Sequence, residues 1–376
     1  PSFCAWVVHN YCIITMKKAP SNRPEDTDFL QQRLKTRPAR IAPIHIAVAI
    51  LIIAIFFIPT GSKLTSSDKK VYESKITYDE DSYTECSIDE NDVGKKCQVS
   101  FVLSENVDGP LYLYYEMTNY FQNHRRYYQS RSIDQLRGEN LGSSDVELDC
   151  NPLYKNGSLL LNPCGLTANS FFTDMFYLDS EASTPPGLIM NETGISVKSD
   201  REDLFKQPSG FKYVVVSDTS VTCESVGLSS GCKVHYDDDG TQYLYYYPDD
   251  DTVQYLYESY PDQISPIDGV TDEHFIVWMK IASLPTFRKL YGWIEGDFSE
   301  GDRIVFNITA NFEVDSFDAT KSLIITNLGS RGGRNLFLGQ AFTTIGSLCM
   351  VFGVGLIVKA YWPDIMDFVA AQSKPH

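Results

Sequence analysis

Positive charge is scarce in this chain. Its 376 residues carry 32 lysines and arginines against 49 aspartates and glutamates, a formal charge of −17 with histidine neutral. That balance argues against nucleic acid as a partner, because phosphate binding draws on a basic face. Patterns that carry chemistry are missing too. There is no G-x-x-x-x-G-K-[ST] loop to cradle phosphates, no H-E-x-x-H and no C-x-x-C, and the six histidines show no pair at metal-ligand spacing. No cofactor, metal or catalytic residue is therefore expected.

Continuous hydrophobicity, by contrast, is abundant in two places. IAPIHIAVAILIIAIFFI, from Ile41 to Ile58, is eighteen residues without a formal charge, and LFLGQAFTTIGSLCMVFGVGLIV, from Leu336 to Val358, is twenty-three. At about 1.5 Å per residue the second reaches about 34 Å, enough to cross a hydrocarbon core of about 30 Å. The first is near the short limit, with Pro43 and Pro59 placed at its ends. Its apolar run is longer than a signal peptide's, and PTGSKL offers no small-x-small cleavage site, so it reads as a retained anchor. The expected organisation is an N-terminal arm (1–40), a first span (41–60), a large loop domain (61–335), a second span (336–358) and a tail (359–376).

Charge orients the spans. Lys17, Lys18, Arg23, Arg33, Lys35, Arg37 and Arg40 against Glu25, Asp26 and Asp28 make the arm +4, which the positive-inside rule puts in the cytosol. Two spans return the neutral tail to the same side and leave a loop of net −21 facing the lumen or exterior. Tyr361 and Trp362 suit an interfacial belt. Six of the nine cysteines (Cys86, Cys97, Cys150, Cys164, Cys223 and Cys232) lie in that loop at close spacings suited to local disulfides. Its sequons, at Asn156, Asn191 and Asn307, suit glycosylation there. The first fifteen residues differ in texture from the polar arm, and Met16 is the expected start.

The loop has strand-like texture. In DRIVFNITANFEV, Ile304, Phe306, Ile308, Ala310, Phe312 and Val314 alternate with Arg303, Asn307, Thr309, Asn311 and Glu313, one face buried and one wet. HFIVWMKIA is apolar on both faces, so Phe275 to Ala282 is expected as a central strand. LYLYYEM, from Leu111, is another strand, and the domain is expected to be antiparallel and β-rich. DDDGTQYLY (Asp237 to Tyr245) repeats as DDDTVQYLY (Asp249 to Tyr257) and reads as a solvated tyrosine-rich hairpin or an insertion, since an EF-hand's spacing is absent. Cys223 and Cys232 are placed to close a small loop before it. RGGR, Arg331 to Arg334, reads as a tight turn into the second span.

One basic stretch stands out, NYFQNHRRYYQSRS, Asn119 to Ser132. Read as a helix, it puts Tyr120, His124, Tyr127 and Arg131 on one face, with the rings packed on LYLYYEM and Arg125 and Arg126 left for acidic groups. His124 is the best candidate for a general base, but no nucleophile or orienting acid accompanies it by motif.

Four stretches together resemble the cell division control protein 50 (ligand-effect modulator) family. They are NYFQNHRRYYQSRSIDQLRG, NPCGLTANSFFTD, DEHFIVWMKIASLPTFRKLY and GGRNLFLGQAFTTIGS, with FLQQRL before the first span as weaker support. The resemblance implies a non-catalytic accessory subunit of a type IV P-type ATPase, a phospholipid flippase. It also implies an antiparallel β ectodomain capping the partner's exoplasmic loops, and a role in leaving the endoplasmic reticulum with that partner. The motif positions carried over are Asn123, His124, Arg125, Arg126, Tyr127, Arg131, Gly165, Asn169, Ser170, Trp278, Pro285, Arg288, Gly332, Gly333 and Gly339. It further implies disulfides Cys86–Cys97 and Cys150–Cys164, while a second N-terminal bridge common in the family is missing. In the spans, Gly339, Gly346, Gly353 and Gly355 are expected to permit close helix approach. The alternative with the same topology is a subunit of a two-span trimeric ligand-gated channel, against which count the few ectodomain cysteines and the absence of clustered lysines.

Overall fold

The computed structural model describes residues 24–34, 42–79, 86–88, 93–216, 221–228, 231–237, 239–329 and 332–372. The leader, Met16, Lys17, Lys18, Arg23, Lys35, Arg37, Arg40, Asp238, Arg331 and Lys374 lie outside the described residues.

Two long apolar helices, Pro43–Asp68 and Leu336–Gln372, bracket the β-rich domain. The stretches long and apolar enough to cross a membrane are Ile44–Asp68 and Leu336–Trp362, both longer than the apolar runs alone. Pro43 begins its helix, where a missing N–H costs nothing, but Pro59 lies inside it rather than at its end. Ile52, Ile55, Phe56, Phe337, Val351 and Phe352 are all exposed. Apolar side chains facing outward along such helices need hydrocarbon around them. The chain is a membrane protein with two candidate spans.

The contacts divide the chain into two units, residues 1–59 with 344–376, and residues 60–343. The second unit is built on two antiparallel sheets. One has five strands in the order Glu73–Thr77, Lys321–Thr326, Leu111–Met117, Phe287–Ile294 and Met190–Asn191. The other sets Arg303–Ala310 between Lys95–Val102 and Met175–Leu178. Their inward residues share one core that includes Val99, Phe101, Phe306, Leu113, Tyr115 and Leu323. Burying such side chains contributes roughly 1.5–3 kcal/mol each. The alternation expected of DRIVFNITA holds. Ile304, Phe306, Ile308 and Ala310 are buried and Asn307 is exposed, while Val305 is covered as well, its N–H donating to Ser183 Oγ at 3.0 Å.

One expectation fails here and another holds only in part. HFIVWM is not a central strand but the core of a helix, Glu273–Met279. A run apolar on all sides fits either element, and capping decided it. Asp272 accepts the Phe275 N–H at 2.8 Å, and the carbonyls at the other end find a lysine described below.

The repeat is a hairpin in its first copy alone, where Lys233–Tyr236 pairs antiparallel with Gln242–Tyr246 across the exposed Asp237, Asp239 and Gly240, and its tyrosines are largely buried rather than solvated. QYLY of the first copy lies in the strand Gln242–Tyr246, between Lys212–Val216 and Lys233–Tyr236. The second copy gives the strand Val253–Tyr255, parallel to Leu159–Asn162, and then the helix Leu256–Ser259. Tyr245, Tyr247, Tyr255 and Tyr257 are buried against one another, with the closest centroids, Tyr247 to Tyr255, 4.4 Å apart. Identical letters diverge because each copy meets a different partner strand.

Candidate functional site

Three of the four stretches that carry the resemblance converge on one joint. After the strand Leu111–Met117 the chain turns at Asn119, whose φ of 53° is a conformation asparagine tolerates. Its amide donates to the Phe317 carbonyl at 2.7 Å. The turn swings Tyr120 into a ring cluster with Tyr127, Trp278, Phe287, Phe312 and Phe317, at centroid distances of 5.7 to 6.2 Å. Backbone and amide bonds then stitch the first block to the third. Tyr120 N–H donates to the Pro285 carbonyl at 3.1 Å, Asn123 Nδ2 to Ser283 O at 2.9 Å, and Ala282 N–H to the buried Gln122 Oε1 at 2.9 Å.

The second block closes the joint. The Tyr127 and Ser170 hydroxyls lie 2.8 Å apart, Thr167 Oγ1 donates to the Tyr127 carbonyl at 3.0 Å, and Trp278 Nε1 donates to the Thr167 carbonyl at 2.9 Å. Gly165 has φ of 100°, and a β-carbon there would lie 2.1 Å from the Ser130 carbonyl oxygen. No other residue fits. Asn169 Nδ2 donates to the Gly165 carbonyl at 2.9 Å and holds that turn.

Lys289 escapes sequence reasoning. Its amine donates to the carbonyls of Val277 at 3.0 Å and Trp278 at 3.1 Å, and to that of Lys280, so it caps the end of Glu273–Met279. Burial pushes its pKa down to about 7. Three acceptors need three N–H groups, which only the ammonium form has, and a helix C-terminus favours a cation. The signal was available, since FRKLY puts Lys289 on the core-facing parity with Phe287 and Tyr291.

The outward face differs. The helix in the first block is only Arg125–Gln129, so the single-face reading over Tyr120 to Arg131 is corrected. Tyr120 and Tyr127 do meet, but His124 sits at the helix start and is exposed, and Arg131 follows the helix, half-buried. Tyr120 packs against the core that includes Leu113, Tyr115 and Met117 of the LYLYYEM strand, while Tyr115 itself stacks on Phe172 at 4.0 Å. Arg125 and Arg126 are exposed and form no ion pair among the described residues. Phe121, Tyr128 and Leu284 are exposed beside them. His124 meets no carboxylate among the described residues, so the arrangement offers nothing to orient it as a base. Arg288 is engaged, 2.9 Å from Glu73 and 3.7 Å from Glu116.

Among the described residues three disulfides are present, Cys86–Cys97, Cys150–Cys164 and Cys223–Cys232. Asn156 and Asn307 are exposed and Asn191 is half-buried; Asn307 Oδ1 accepts from Gln98 Nε2 at 3.0 Å. GLSSG, Gly227 to Gly231, has the letters of a nucleophile elbow but the wrong setting, a turn of 3-10 helix before it and the strand Lys233–Tyr236 after it. Ser229 lies outside the described residues.

In the unit 60–343 a β-carbon on Gly339 would lie 2.4 Å from Thr65 Oγ1, and one on Gly61 2.4 Å from Thr343 Oγ1. In the other unit, one on Gly346 would lie 2.8 Å from Ile58 Cγ1 and one on Gly353 2.7 Å from Leu51. Gly355 faces open space, contrary to expectation, as does Gly333. Gly332, with φ of 96°, bridges back to Gly329, with N–H to carbonyl distances of 3.0 Å both ways.

The model of the LEM3 (ligand-effect modulator 3) family / CDC50 family matches residues 64–364. The chain belongs to this family. Among members similar to it, Cell cycle control protein 50A of Mus musculus is 32% identical over 352 residues, covering 90% of each chain. Cell cycle control protein 50B of Homo sapiens is 32% identical over 366 residues, 92% of this chain and 96% of that one. ALA-interacting subunit 3 of Arabidopsis thaliana is 30% identical over 354 residues, 90% and 86% respectively. The joint thus lies wholly inside the part of the chain that makes it a CDC50 family member.

Proposed function

We propose that this chain is a non-catalytic accessory subunit of a phospholipid-flipping type IV P-type ATPase, required for that enzyme's folding, exit from the endoplasmic reticulum and lipid translocation. The observation that carries the reading is the family match over residues 64–364, joined to a relative whose name describes an interacting subunit. The exposed Arg125 and Arg126, set on an otherwise acidic domain, support a docking role for the patch around them, against acidic exoplasmic loops of the catalytic subunit. The aromatic joint behind them keeps that patch in shape.

In this reading the arm (1–40) and tail (359–376) are cytosolic, with spans at 41–60 and 336–358. The domain 61–335 is lumenal or extracellular, glycosylated at Asn156, Asn191 and Asn307, and travels from the endoplasmic reticulum to the Golgi, endosomes or plasma membrane. ATP binding and phosphorylation belong to the partner, while Gly339, Gly346 and Gly353 let the two helices pair beside its membrane domain. Affinity purification in mild detergent tests this. A one-to-one complex with a large ATPase is expected, and a homotrimer without one overturns the reading in favour of a channel subunit.

A further inference from the structure

Within the unit 60–343, the chain enters and leaves the β-rich domain through one neck. Tyr72 N–H donates to Asn327 Oδ1 at 2.8 Å, and the Asn327 N–H donates back to the Tyr72 carbonyl at 3.3 Å. A β-carbon on Gly329 would lie 2.9 Å from Val71 Cγ2, and one on Gly339 2.4 Å from Thr65 Oγ1, so residues 65–72 run beside 327–339. This neck is basic. Lys69 and Lys70 follow the end of the first helix at Asp68, and Arg334 precedes the start of the second at Leu336. Lys63 lies about 9 Å further back along the first helix. All four are exposed, and none forms an ion pair among the described residues. Acids do not balance them. Residues 327–338 contain none, Asp68 is buried, and Glu73 is taken by Arg288 at 2.9 Å.

The neighbours of these cations are apolar. Phe337 and Leu338, three and four residues after Arg334, are 78% and 44% exposed. The apolar stretches Ile44–Asp68 and Leu336–Trp362 end and begin beside the neck. At about 1.5 Å per residue they reach about 37 and 40 Å, more than a hydrocarbon core of about 30 Å, so cations just beyond them stand at headgroup depth. Unpaired ammonium and guanidinium groups next to exposed apolar side chains complement a phosphodiester carried on acyl chains. The fork of Arg334 matches two phosphate oxygens, and the long stem of Lys63 lets its amine rise toward the same layer. We propose that Lys69, Lys70 and Arg334, with Lys63 beneath them, bind the phosphate groups of phospholipids in the adjoining leaflet. An acidic protein loop would match the charge but not the apolar flank.

The test uses the full-length chain in mild detergent, titrated with dioleoylphosphatidylglycerol, dioleoylphosphatidylcholine and dioleoylglycerol and read by native mass spectrometry. Saturable adducts of both phospholipids are expected, weaker as salt rises, whereas dioleoylglycerol lacks the phosphate and should not saturate. Lys69→Gln, Lys70→Gln and Arg334→Gln combined should weaken both phospholipids about tenfold or more, since each cation near an anionic lipid surface is worth a factor of about five. The charge-keeping set Lys69→Arg, Lys70→Arg and Arg334→Lys should bind as the wild type does, which separates charge from folding. Arg33→Gln with Lys35→Gln, in the N-terminal arm, should keep the binding. Phospholipids no tighter than dioleoylglycerol, unaltered binding in the triple glutamine variant, or a loss confined to the arm variant each overturn the proposal. Inorganic phosphate or a glutamate-rich peptide bound at these residues, with the phospholipids indifferent to the triple variant, also overturns it, in favour of a soluble anion or a partner's loop.

Discussion

The ammonium of Lys321 lies 2.7 Å from Asp174 Oδ2, with the two side chains 1% and 0% exposed. Asp174 ends the block NPCGLTANSFFTD, and its carboxylate also accepts from Tyr78 Oη at 2.7 Å and from the N–H groups of Asn311 and Phe312 at 2.6 Å each. One buried ion pair thus ties that block to the five-stranded sheet. A charge this deep is tolerable only when its partner and hydrogen bonds are complete.

Removing one side of that pair strands the other. Asp174→Asn or Lys321→Met should each destabilise the domain by about 3–5 kcal/mol, whereas the double change should recover part of the loss. Thermal unfolding of the purified protein checks this; additive single effects would mean the two groups are not coupled.

Cysteine replacements should divide by location. The Cys150–Cys164 bridge packs with buried Val146 and Leu161, and its loss should cost about 2–5 kcal/mol and hold the chain in the endoplasmic reticulum. Cys223–Cys232 closes a nine-residue separation beside a smaller cluster, so its loss should be milder. Surface labelling of the tagged chain against its total amount reads both outcomes, and normal delivery of Cys150→Ser refutes the first.

The outward patch should separate assembly from stability. Arg125→Glu with Arg126→Glu should leave unfolding within about 0.5 kcal/mol of wild type, as exposed changes do, yet release the ATPase in pull-downs. His124→Ala should likewise act on assembly and not on turnover of the complex once formed. Trp278→Ala, in the joint beneath, should instead cost about 3–5 kcal/mol.

Helix pairing gives a position-specific contrast. Gly346→Leu and Gly353→Leu place side chains where Ile58 and Leu51 already sit and should disrupt the pairing, while Gly355→Leu faces open space and should be neutral. Yield of monodisperse chain in detergent measures the difference.

His274 makes stability depend on pH. Burial lowers its pKa, but the hydrogen bond to Glu192 and the charges of Asp272, Glu192 and Glu273 outweigh that and raise it. A raised folded-state value stabilises fully below the unfolded pKa of about 6.5 and loses that stabilisation as pH rises through the folded value. The melting temperature of wild type relative to His274→Gln should therefore fall as pH climbs from about 6 to above neutrality. A pH-independent difference refutes the linkage.

Much of this architecture is legible in the letters. Two uncharged runs long enough for a bilayer, charge that separates arm from loop, and the period-two alternation around Asn307 are local patterns, and local patterns survive folding. Six closely spaced loop cysteines likewise suggested local bridges.

What the letters left open depended on partners distant in the chain. HFIVWM became a helix because Asp272 caps one end and Lys289, on the next strand, the other. The two QYLY copies took different conformations because different strands received them, and their tyrosines then found one another in the core. His124 looked chemical in sequence and lies exposed at a helix start, whereas Tyr120, unremarked there beyond its spacing, organises five rings. By itself the sequence determined the spans, the charge asymmetry and the strand periodicity, since those follow from each segment's own transfer free energy and side-chain alternation. Only the tertiary structure decided which apolar run coils, which cation is buried and which arginines are left exposed, because burial and pairing are set by neighbours that sequence separation hides.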